Sequence, residues 1–425
     1  MEAAPNSALA LAALEAKIGT RVAEYGQALY RANLQPLADA LPRLGSDGKP
    51  LLGGRIVAQR ILTPYGPVEL QLFSGRCQTT NRFEMPFKTR YCRGERHPVS
   101  PLLERKIVTT ACETGSFEKA SKVCAEWGCE ISDDKVMTTL RNVGAVCTDS
   151  DLPELCEDAA TSEDVLIVMM DGWMARFRGE DWGDADAASD SRVAWHESKS
   201  AVIFRLSQEV DVSNNRRMII RKHIVIEPAE TSPEVFARNV ESAAKRMGML
   251  RAAKVYFIMD GGTYLWNIHD LNFSAYGTAT LDYYHASQHL GVLADALFAT
   301  AKDPSEKDAW LAQHRRELKS LGPANLIKTL SEIDFNTIRR REAKRIARRE
   351  VAYFKGHEEH MHYEKNAARG VPIGSGAMES QCAQNQNRFK RRGQFWSQKG
   401  FELAIKAYVR YANNELRYCY ARRAA

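Results

Sequence analysis

Residues 163–172 read EDVLIVMMDG, in which six consecutive apolar residues lead directly into Asp171 and Gly172. An apolar run of this length, bounded by polar residues, predicts a central strand that is buried on both faces. Residues 254–262, KVYFIMDGG, repeat the pattern and end the apolar run at Asp260. The sequence therefore predicts two buried strands that each place a carboxylate at the strand end.

The patterns around these two strands predict an α/β domain. Apolar and alternating segments predict strands at 163–172, 193–206, 216–227, 254–262 and 277–284. A helix is predicted at 232–250, where a serine N-cap is followed by proline. Three antiparallel strands, a helix and two further strands are the element order of an RNase H-like domain, although other α/β folds share parts of it.

A third acidic residue follows a Gly-Ser-Gly turn late in the chain. Residues 374–380 read GSGAMES, and they place Glu379 at the start of a helix predicted for 378–392. Basic and aromatic residues follow it and are predicted to contact DNA: Arg388, Lys390, Arg391, Arg392 and Trp396. A carboxylate beside a basic, amide-rich helix suits a metal ion that works at a phosphate backbone.

Asp171, Asp260 and Glu379 together predict a two-metal phosphoryl-transfer site. Mg²⁺ prefers carboxylate, water and phosphate oxygens, and two such ions can activate the attacking oxygen and stabilise the leaving one. Neighbouring strand ends, with a helix packed across the sheet, bring together acids that are far apart in sequence. Each Asp-Gly pair taken alone most often marks a simple turn. Asp282 also ends an apolar strand, so the sequence leaves open whether Asp260 or Asp282 is the second ligand.

His285, three residues after Asp282, is an accessory candidate. It is interpreted as a local partner for a phosphate or a carboxylate. With His289 it also forms a His-x3-His pair, a spacing with which a helix can bind zinc. Packing at the start of a helix is the alternative interpretation.

The first 145 residues predict a DNA-binding region. A helix is predicted for 1–45, and a small β unit with a hairpin at 64–67 follows. Three short helices are predicted at 101–113, 116–127 and 132–142, and the last two each begin after a serine N-cap. Such an arrangement is typical of a helix-turn-helix, whose third helix would carry Lys135 and Arg141 into a major groove. A generic three-helix bundle is the alternative.

Charge and cysteine content favour a soluble protein with a nucleic-acid partner. The net charge is only +6, but residues 339–349 contain seven basic residues and one acid, and local positive patches attract phosphates. No apolar run approaches about 18 residues, so no membrane partner is expected. Nine cysteines, an odd number without zinc-knuckle spacing, and a charged N-terminal helix favour reduced thiols in the cytoplasm.

With these residues in place, the chain resembles the DDE transposases of bacterial insertion sequences, in particular the Kra-type (ISKra) family. The resemblance covers about residues 100–415 and rests on Asp171-Gly172, Asp260-Gly261 with Trp266, LDYYHASQHL at 281–290, and PIGSGAMES at 372–380 leading to RFKRRGQFWS. It implies the acid triad Asp171, Asp260 and Glu379, with two Mg²⁺ or Mn²⁺ ions. It also implies double-stranded DNA as partner, a homo-oligomer assembled on two element ends, and a bacterial, nucleoid-associated protein.

The predicted organisation has five segments. These are an N-terminal helix with a small β unit at 1–100, a helix-turn-helix-like domain at 101–150, the first part of an RNase H-like catalytic core at 160–284, a helical insertion at 285–370, and the rest of the core with C-terminal helices at 371–425. The predicted function is metal-dependent cleavage of transposon ends and strand transfer into target DNA. Two alternatives remain: an RNase H-like nuclease without strand transfer, and a domesticated DNA-binding regulator.

Overall fold

The computed structural model describes residues 7–92, 98–147, 163–213, 216–300 and 303–421. The chain divides into two compact units, one formed by 1–152 with 396–425 and the other by 153–395. The polar, acidic composition of residues 146–162 predicts a linker, and residues 148–162 lie outside the described residues.

The first unit begins with a long helix against a small sheet. Its elements are α1 (Ala8–Asp39), β1 (Leu52–Thr63), β2 (Gly66–Arg76), β3 (Phe83–Glu84) and α2 (Pro86–Tyr91). The hairpin predicted at 64–67 is confirmed, because Thr63 pairs with Gly66 across the turn. Gln35 of α1 bonds both the N–H and the C=O of Gln71 on β2, at 2.8 and 2.9 Å, and so fixes the helix to the strand.

Three packed helices follow in the same unit: α3 (Pro101–Thr114), α4 (Phe117–Glu126) and α5 (Asp133–Val146). The predicted caps are confirmed, since the side chains of Ser116 and Ser132 accept hydrogen bonds from the backbone N–H groups of Lys119 and Lys135. Gly115 has φ +59°, the left-handed conformation that ends α3 without the steric cost of a Cβ. The apolar spacing of the three helices buries one face of each.

The second unit is built on a mixed five-stranded sheet. Its strands are β4 (Val165–Arg178), β5 (Val193–Arg205), β8 (His223–Glu227), β9 (Lys254–Met259) and β10 (Thr278–Leu281), in the order β10-β9-β4-β5-β8. β4 is antiparallel to β5 and parallel to β9, which is parallel to β10. The short helix α6 (Ser189–Arg192) lies between β4 and β5, and a separate hairpin is formed by β6 (Glu209–Ser213) and β7 (Arg216–Ile219). The predicted α/β class is therefore confirmed.

Helices complete the second unit. They are α7 (Pro233–Arg246), α8 (Thr263–Asn272), α9 (Tyr283–Leu297), α10 (Pro304–Leu321), α11 (Ala324–Ser331), α12 (Arg341–Gly356), α13 (Tyr363–Ala368) and α14 (Gly376–Phe389). A large apolar core joins the sheet to these helices, and it includes Val168, Phe257, Leu290 and Phe354, each fully buried. The helical pattern read from 285 to about 367 corresponds to α9–α13.

The last helices, α15 (Gln398–Ala412) and α16 (Tyr418–Ala421), belong to the first unit. α15 packs closely on α5, because a Cβ at Gly144 would lie 2.0 Å from the carbonyl oxygen of Leu403. The sequence had grouped 371–425 as one segment, whereas the structure divides it at Trp396. Within the described residues, no helix combines the length and the apolar character that a membrane span requires.

Candidate active site

The parallel pairing of β4, β9 and β10 places three acids of the second unit at the same level of the sheet. Met170 of β4 pairs with Met259 of β9, so the next residues, Asp171 and Asp260, occupy adjacent positions across the two strands. Met259 also pairs with Leu281 of β10, which places Asp282 at the same level on the third strand. Carboxyl ends of parallel strands are a common position for binding sites in α/β sheets. The structure thus brings the three acids to one level of the sheet. Asp260 and Asp282 directly follow the last residues of β9 and β10, but the prediction that Asp171 ends its strand is wrong, because β4 continues to Arg178 in pairing with β5.

Asp171 is partly buried and sits in an electrostatically unfavourable place. Its Oδ1 accepts a 2.7 Å hydrogen bond from the N–H of Gly172, and its Oδ2 lies 3.8 Å from the Sγ of Cys382 on α14. Burial, and then the negative charge of Asp260, raise the pKa of Asp171 from 3.8 to about 6, while His285 acts in the opposite direction. Two carboxylates at this edge repel each other, and a cation between them would relieve that repulsion.

The backbone around Asp260 is held in several ways. Its Oδ1 accepts a 2.9 Å hydrogen bond from the N–H of Gly262, where α8 begins. The indole N–H of Trp266, in the next turn, donates to the backbone oxygen of Asp260 at 2.8 Å. A Cβ at Gly261 would lie 2.3 Å from the hydroxyl of Tyr353, so glycine allows α12 to approach this strand end.

Asp282 is fully buried, and both of its carboxylate oxygens are engaged within the protein. Oδ1 accepts from the N–H groups of Tyr284 and His285, at 2.5 and 3.2 Å, and so caps α9. Oδ2 accepts from the N–H of Ser375 at 2.6 Å and from the Ser375 hydroxyl. This carboxylate therefore ties the start of α9 to the turn that precedes α14.

Glu379 lies in the first turn of α14, and its side chain is exposed. Cys382, one turn further along, is buried against Asp171. Burial raises the pKa of the Cys382 thiol, and the negative charges of Asp171 and Glu379 raise it further. Glu379 is therefore close enough to this edge of the sheet to influence the same thiol as Asp171.

Two tyrosines at the site were missed by the sequence analysis. The buried hydroxyls of Tyr264 and Tyr353 have no hydrogen-bond partner among the described residues. Burial raises the pKa of Tyr264, and the charges of Glu197, Asp171 and Asp260 raise it further. The phenol hydroxyl stays protonated at neutral pH and can donate a hydrogen bond toward the acids. The available signal was the position of Tyr264 at the start of the helix that follows Asp260.

His285 and His289 do not form a pair that holds zinc. The Nδ1 of His289 lies 2.5 Å from the buried carboxylate of Glu350, and its ring stacks on Tyr353 with centroids 3.9 Å apart. More generally, within the part of the chain that the structure describes, no group of three His, Cys, Asp or Glu side chains is arranged to hold a metal ion. The aligned aspartates are thus a pair, with Glu379 nearby on the helix.

Several residues predicted to contact DNA are turned inward. Trp396 is only 6% exposed and packs edge-on against Phe117 and Phe401. The guanidinium group of Arg141 lies against Gly400 of α15. Lys135 is partly buried near Glu104, and burial lowers its pKa. Neighbouring helices cover these side chains to different degrees, and helical spacing alone does not show which face is covered.

The predicted basic segment after Glu379 is only partly exposed. Arg392 is exposed, whereas Arg388, Lys390 and Arg391 are partly buried. The ammonium group of Lys390 lies 4.9 Å from the ring centre of Trp195 on β5. These side chains therefore lie close to the far ends of β4 and β5 as well as to α14.

Residues 6–419 match the profile of an uncharacterised protein family, UPF0236. The chain belongs to this family. A comparison with curated proteins gave no match. The UPF0236 profile spans both structural units, so the two units occur together as one family architecture. Because the family is described as uncharacterised, its membership adds no activity to the geometry described above.

Proposed function

We propose that the chain is a DDE-type DNA transposase that cleaves transposon ends and joins them to target DNA. The observation that carries the proposal is the register of β4 and β9, which sets Asp171, within β4, beside Asp260, the residue after the end of β9. α14 packs over the same edge, with Cys382 against Asp171 and Glu379 one turn earlier. Three acids from two strands and one late helix are the set that the resemblance to ISKra-type transposases implies.

The topology of the second unit supports an RNase H-like catalytic fold. In chain order, three antiparallel strands, β4, β5 and β8, are followed by a helix and two parallel strands, β9 and β10. The sheet order β8-β5-β4-β9-β10 places the first strand at the centre. In this fold α9–α13 form the helical insertion between the last strand and the helix that carries Glu379.

Asp171, Asp260 and Glu379 are the residues that would hold two Mg²⁺ or Mn²⁺ ions. The pair Asp171 and Asp260 fits a cation, because the strand register sets the two carboxylates side by side, their charges repel, and hard cations prefer such oxygens. Glu379 is exposed on α14 and does not complete a three-residue group among the described residues. When bound, the ions would activate the attacking oxygen and stabilise the leaving one. Asp260 is favoured over Asp282 as the second ligand, because both oxygens of Asp282 already bind Ser375 and the start of α9.

Surface charge supports double-stranded DNA as the partner. The exposed face of α12 and the residues before it are basic: Arg339, Arg340, Arg341, Arg345, Arg348 and Arg349. Such a face attracts the phosphate backbone without reading the sequence.

We propose α3–α5 as the helix-turn-helix-like module, with contacts from the exposed side of α5 rather than from Lys135 or Arg141. The protein would act in the bacterial cytoplasm, at the nucleoid.

The test is cleavage of DNA carrying the ends of the element that encodes this chain. We expect the wild type to cut in Mg²⁺ or Mn²⁺ and to be inactive in EDTA, and to join the released 3'-hydroxyl end to a second DNA. Glu379→Gln should lose both activities and keep binding to the ends. Cutting without joining would favour the nuclease, and binding without cutting in every metal would favour the regulator. Equal cleavage by Glu379→Gln would remove that residue from the site.

We also propose that the chain self-associates through α1. The exposed apolar side chains Leu11, Ile18, Val22, Tyr25 and Leu29 follow one another at intervals of seven, four, three and four residues. This is the spacing of a coiled-coil seam, and a symmetric partner for such a stripe is α1 of a second copy. The homo-oligomer implied by the resemblance thus has a defined contact surface.

Light scattering coupled to size-exclusion chromatography tests this surface. We expect Val22→Lys to lower the measured mass to that of one chain, because a charge in the seam must be desolvated. Thr20→Lys, an exposed substitution on the opposite side of the helix, should leave the mass unchanged. A wild type that is already monomeric at micromolar concentration would contradict the proposal.

A further inference from the structure

Beyond the acidic site, β4 and β5 continue as a two-stranded arm. The pairing of β4 with β9 ends at Met170, and the pairing of β5 with β8 begins only at Lys199. Residues 173–178 and 193–198 therefore pair only with each other in the described part of the sheet. Arg176 on this arm stands five residues beyond Asp171, about 17 Å along the strand.

Exposed aromatic rings are concentrated on this arm. Trp195 is 48% exposed and Trp182 is 42% exposed. The ring of Trp182 lies against Phe395, with centroids 4.8 Å apart and the planes inclined by 46°. Large aromatic side chains usually bury most of their surface, so two half-exposed tryptophans, one on β5 and one in the connection between β4 and β5, require a reason.

Cations lie over the same rings. Arg176 is 5.9 Å from the centre of Trp195 and 5.1 Å from that of Phe395. Lys390 is 4.9 Å from Trp195, and Arg178 is 5.5 Å from Trp182. Arg176 also donates to the backbone oxygens of Lys390, at 3.1 Å, and Arg391, which ties the arm to the end of α14. The rings thus have fixed neighbours, and Trp195 and Trp182 still stay about half exposed.

A cleft adjoins this surface. It has a volume of about 360 Å³ and is lined by Trp182, Gly183, Asp184, Ser189 and Arg192, among others. Its size is at the lower end of the range for small-molecule sites. Trp182 offers a ring face there, while Asp184 and Arg192 offer an acceptor and a donor, the groups that recognise the polar edge of a nucleobase.

We propose that the cation–aromatic surface, formed by Arg176, Arg178, Trp182, Trp195, Lys390 and Phe395, binds unpaired nucleotides of single-stranded DNA. Exposed rings stack on bases, and interleaved cations contact the phosphates between them. Paired bases cannot stack in this way, because their faces are covered within the duplex. The inference deepens the proposed function and rests on it: the surface would hold a strand that has separated next to the cleaved bond.

The experiment is fluorescence anisotropy with a labelled oligo(dT) single strand and a duplex of equal length. The full chain carrying Asp171→Asn is used in EDTA, so that binding is measured without cleavage. Trp195→Ala should weaken single-strand binding by about 5- to 150-fold, the effect of losing one stacked base. Duplex binding should change by less than about twofold, because it depends on phosphate contacts.

Two further variants separate stacking from structure. Trp195→Phe should retain most of the single-strand affinity, since a ring face remains. Leu271→Ala, which removes a side chain that is 84% exposed on α8, should have no effect on either DNA. Unchanged single-strand affinity in folded Trp195→Ala, or an equal loss for single strand and duplex, would overturn the proposal.

The outcome is independent of the catalytic test. The chain could bind single strands selectively through Trp195 and yet cut no DNA in any metal. That result would support the single-strand surface and contradict the proposed transposase activity. Metal-dependent cleavage, with no effect of Trp195→Ala on single-strand binding, would support the transposase activity and contradict the single-strand surface.

Discussion

Asp171→Asn should abolish metal-dependent cleavage of element ends, lowering the rate on the order of 10³-fold or more. The amide keeps the size of the side chain but removes the negative charge that would hold a cation, and metal-ion catalysis contributes several kcal/mol. DNA binding should persist, because Asn keeps the size of the side chain and the basic residues of α12 are unchanged. Rates of end cleavage and affinities for the same DNA are the two measurements.

The same substitution should stabilise the metal-free protein. The pKa of Asp171 is about 6 in the folded chain against an ordinary value of 3.8. A raised carboxylate pKa means that the folded state binds the proton more tightly, so stability falls as the pH rises through this window. At pH 8 the charged Asp171 costs the wild type on the order of 3 kcal/mol, and Asn removes that cost. At pH 3.5 the two proteins should differ little.

Urea unfolding in EDTA at both pH values measures this difference. Asp308→Asn is the matched control, because Asp308 is exposed on α10. It should change neither cleavage nor the pH dependence of stability. If Asp171→Asn loses cleavage and also loses stability at pH 8, Asp171 is a structural residue and the electrostatic account of the site is wrong.

The positions of Asp171 and Asp260 could be predicted from the sequence because buried apolar strands leave local signals, although the continuation of β4 to Arg178 could not. Six apolar residues before Asp171 and a second apolar run before Asp260 correspond to β4 and β9. Serine caps likewise set the starts of α4 and α5. Residues close in sequence determine these strands and helix starts. Each can therefore be predicted without knowing which strand or helix packs against it.

Other features depend on contacts between distant segments. Trp396 follows a basic run, and only the packing of its ring on Phe117 shows that it is a core residue. Trp195 and Lys390 are far apart in sequence and meet because the arm of β4 and β5 reaches the end of α14. The sequence also could not choose between Asp260 and Asp282, since both end apolar runs and differ only in what their oxygens bind.

Asp282→Ala should lower the free energy of unfolding by about 3 kcal/mol or more. The carboxylate caps α9 and accepts two hydrogen bonds from Ser375, so its removal leaves several buried donors without an acceptor. Ser375→Ala is the milder variant, because it removes only the hydroxyl and should cost about 1 kcal/mol. Asp303→Ala, which removes the exposed N-cap of α10, should also cost about 1 kcal/mol but leave cleavage unchanged.

The metal dependence of the residual cleavage decides what Asp282 does. Ser375 immediately precedes α14, so loosening it should move Glu379 and lower the maximal rate in both Asp282→Asn and Ser375→Ala. A residue that only positions the helix leaves the Mg²⁺ concentration for half-maximal rate nearly unchanged. If Asp282→Asn instead raises that concentration tenfold while Ser375→Ala does not, Asp282 is itself a metal ligand. Asp282 would then bind metal together with Asp171, Asp260 and Glu379.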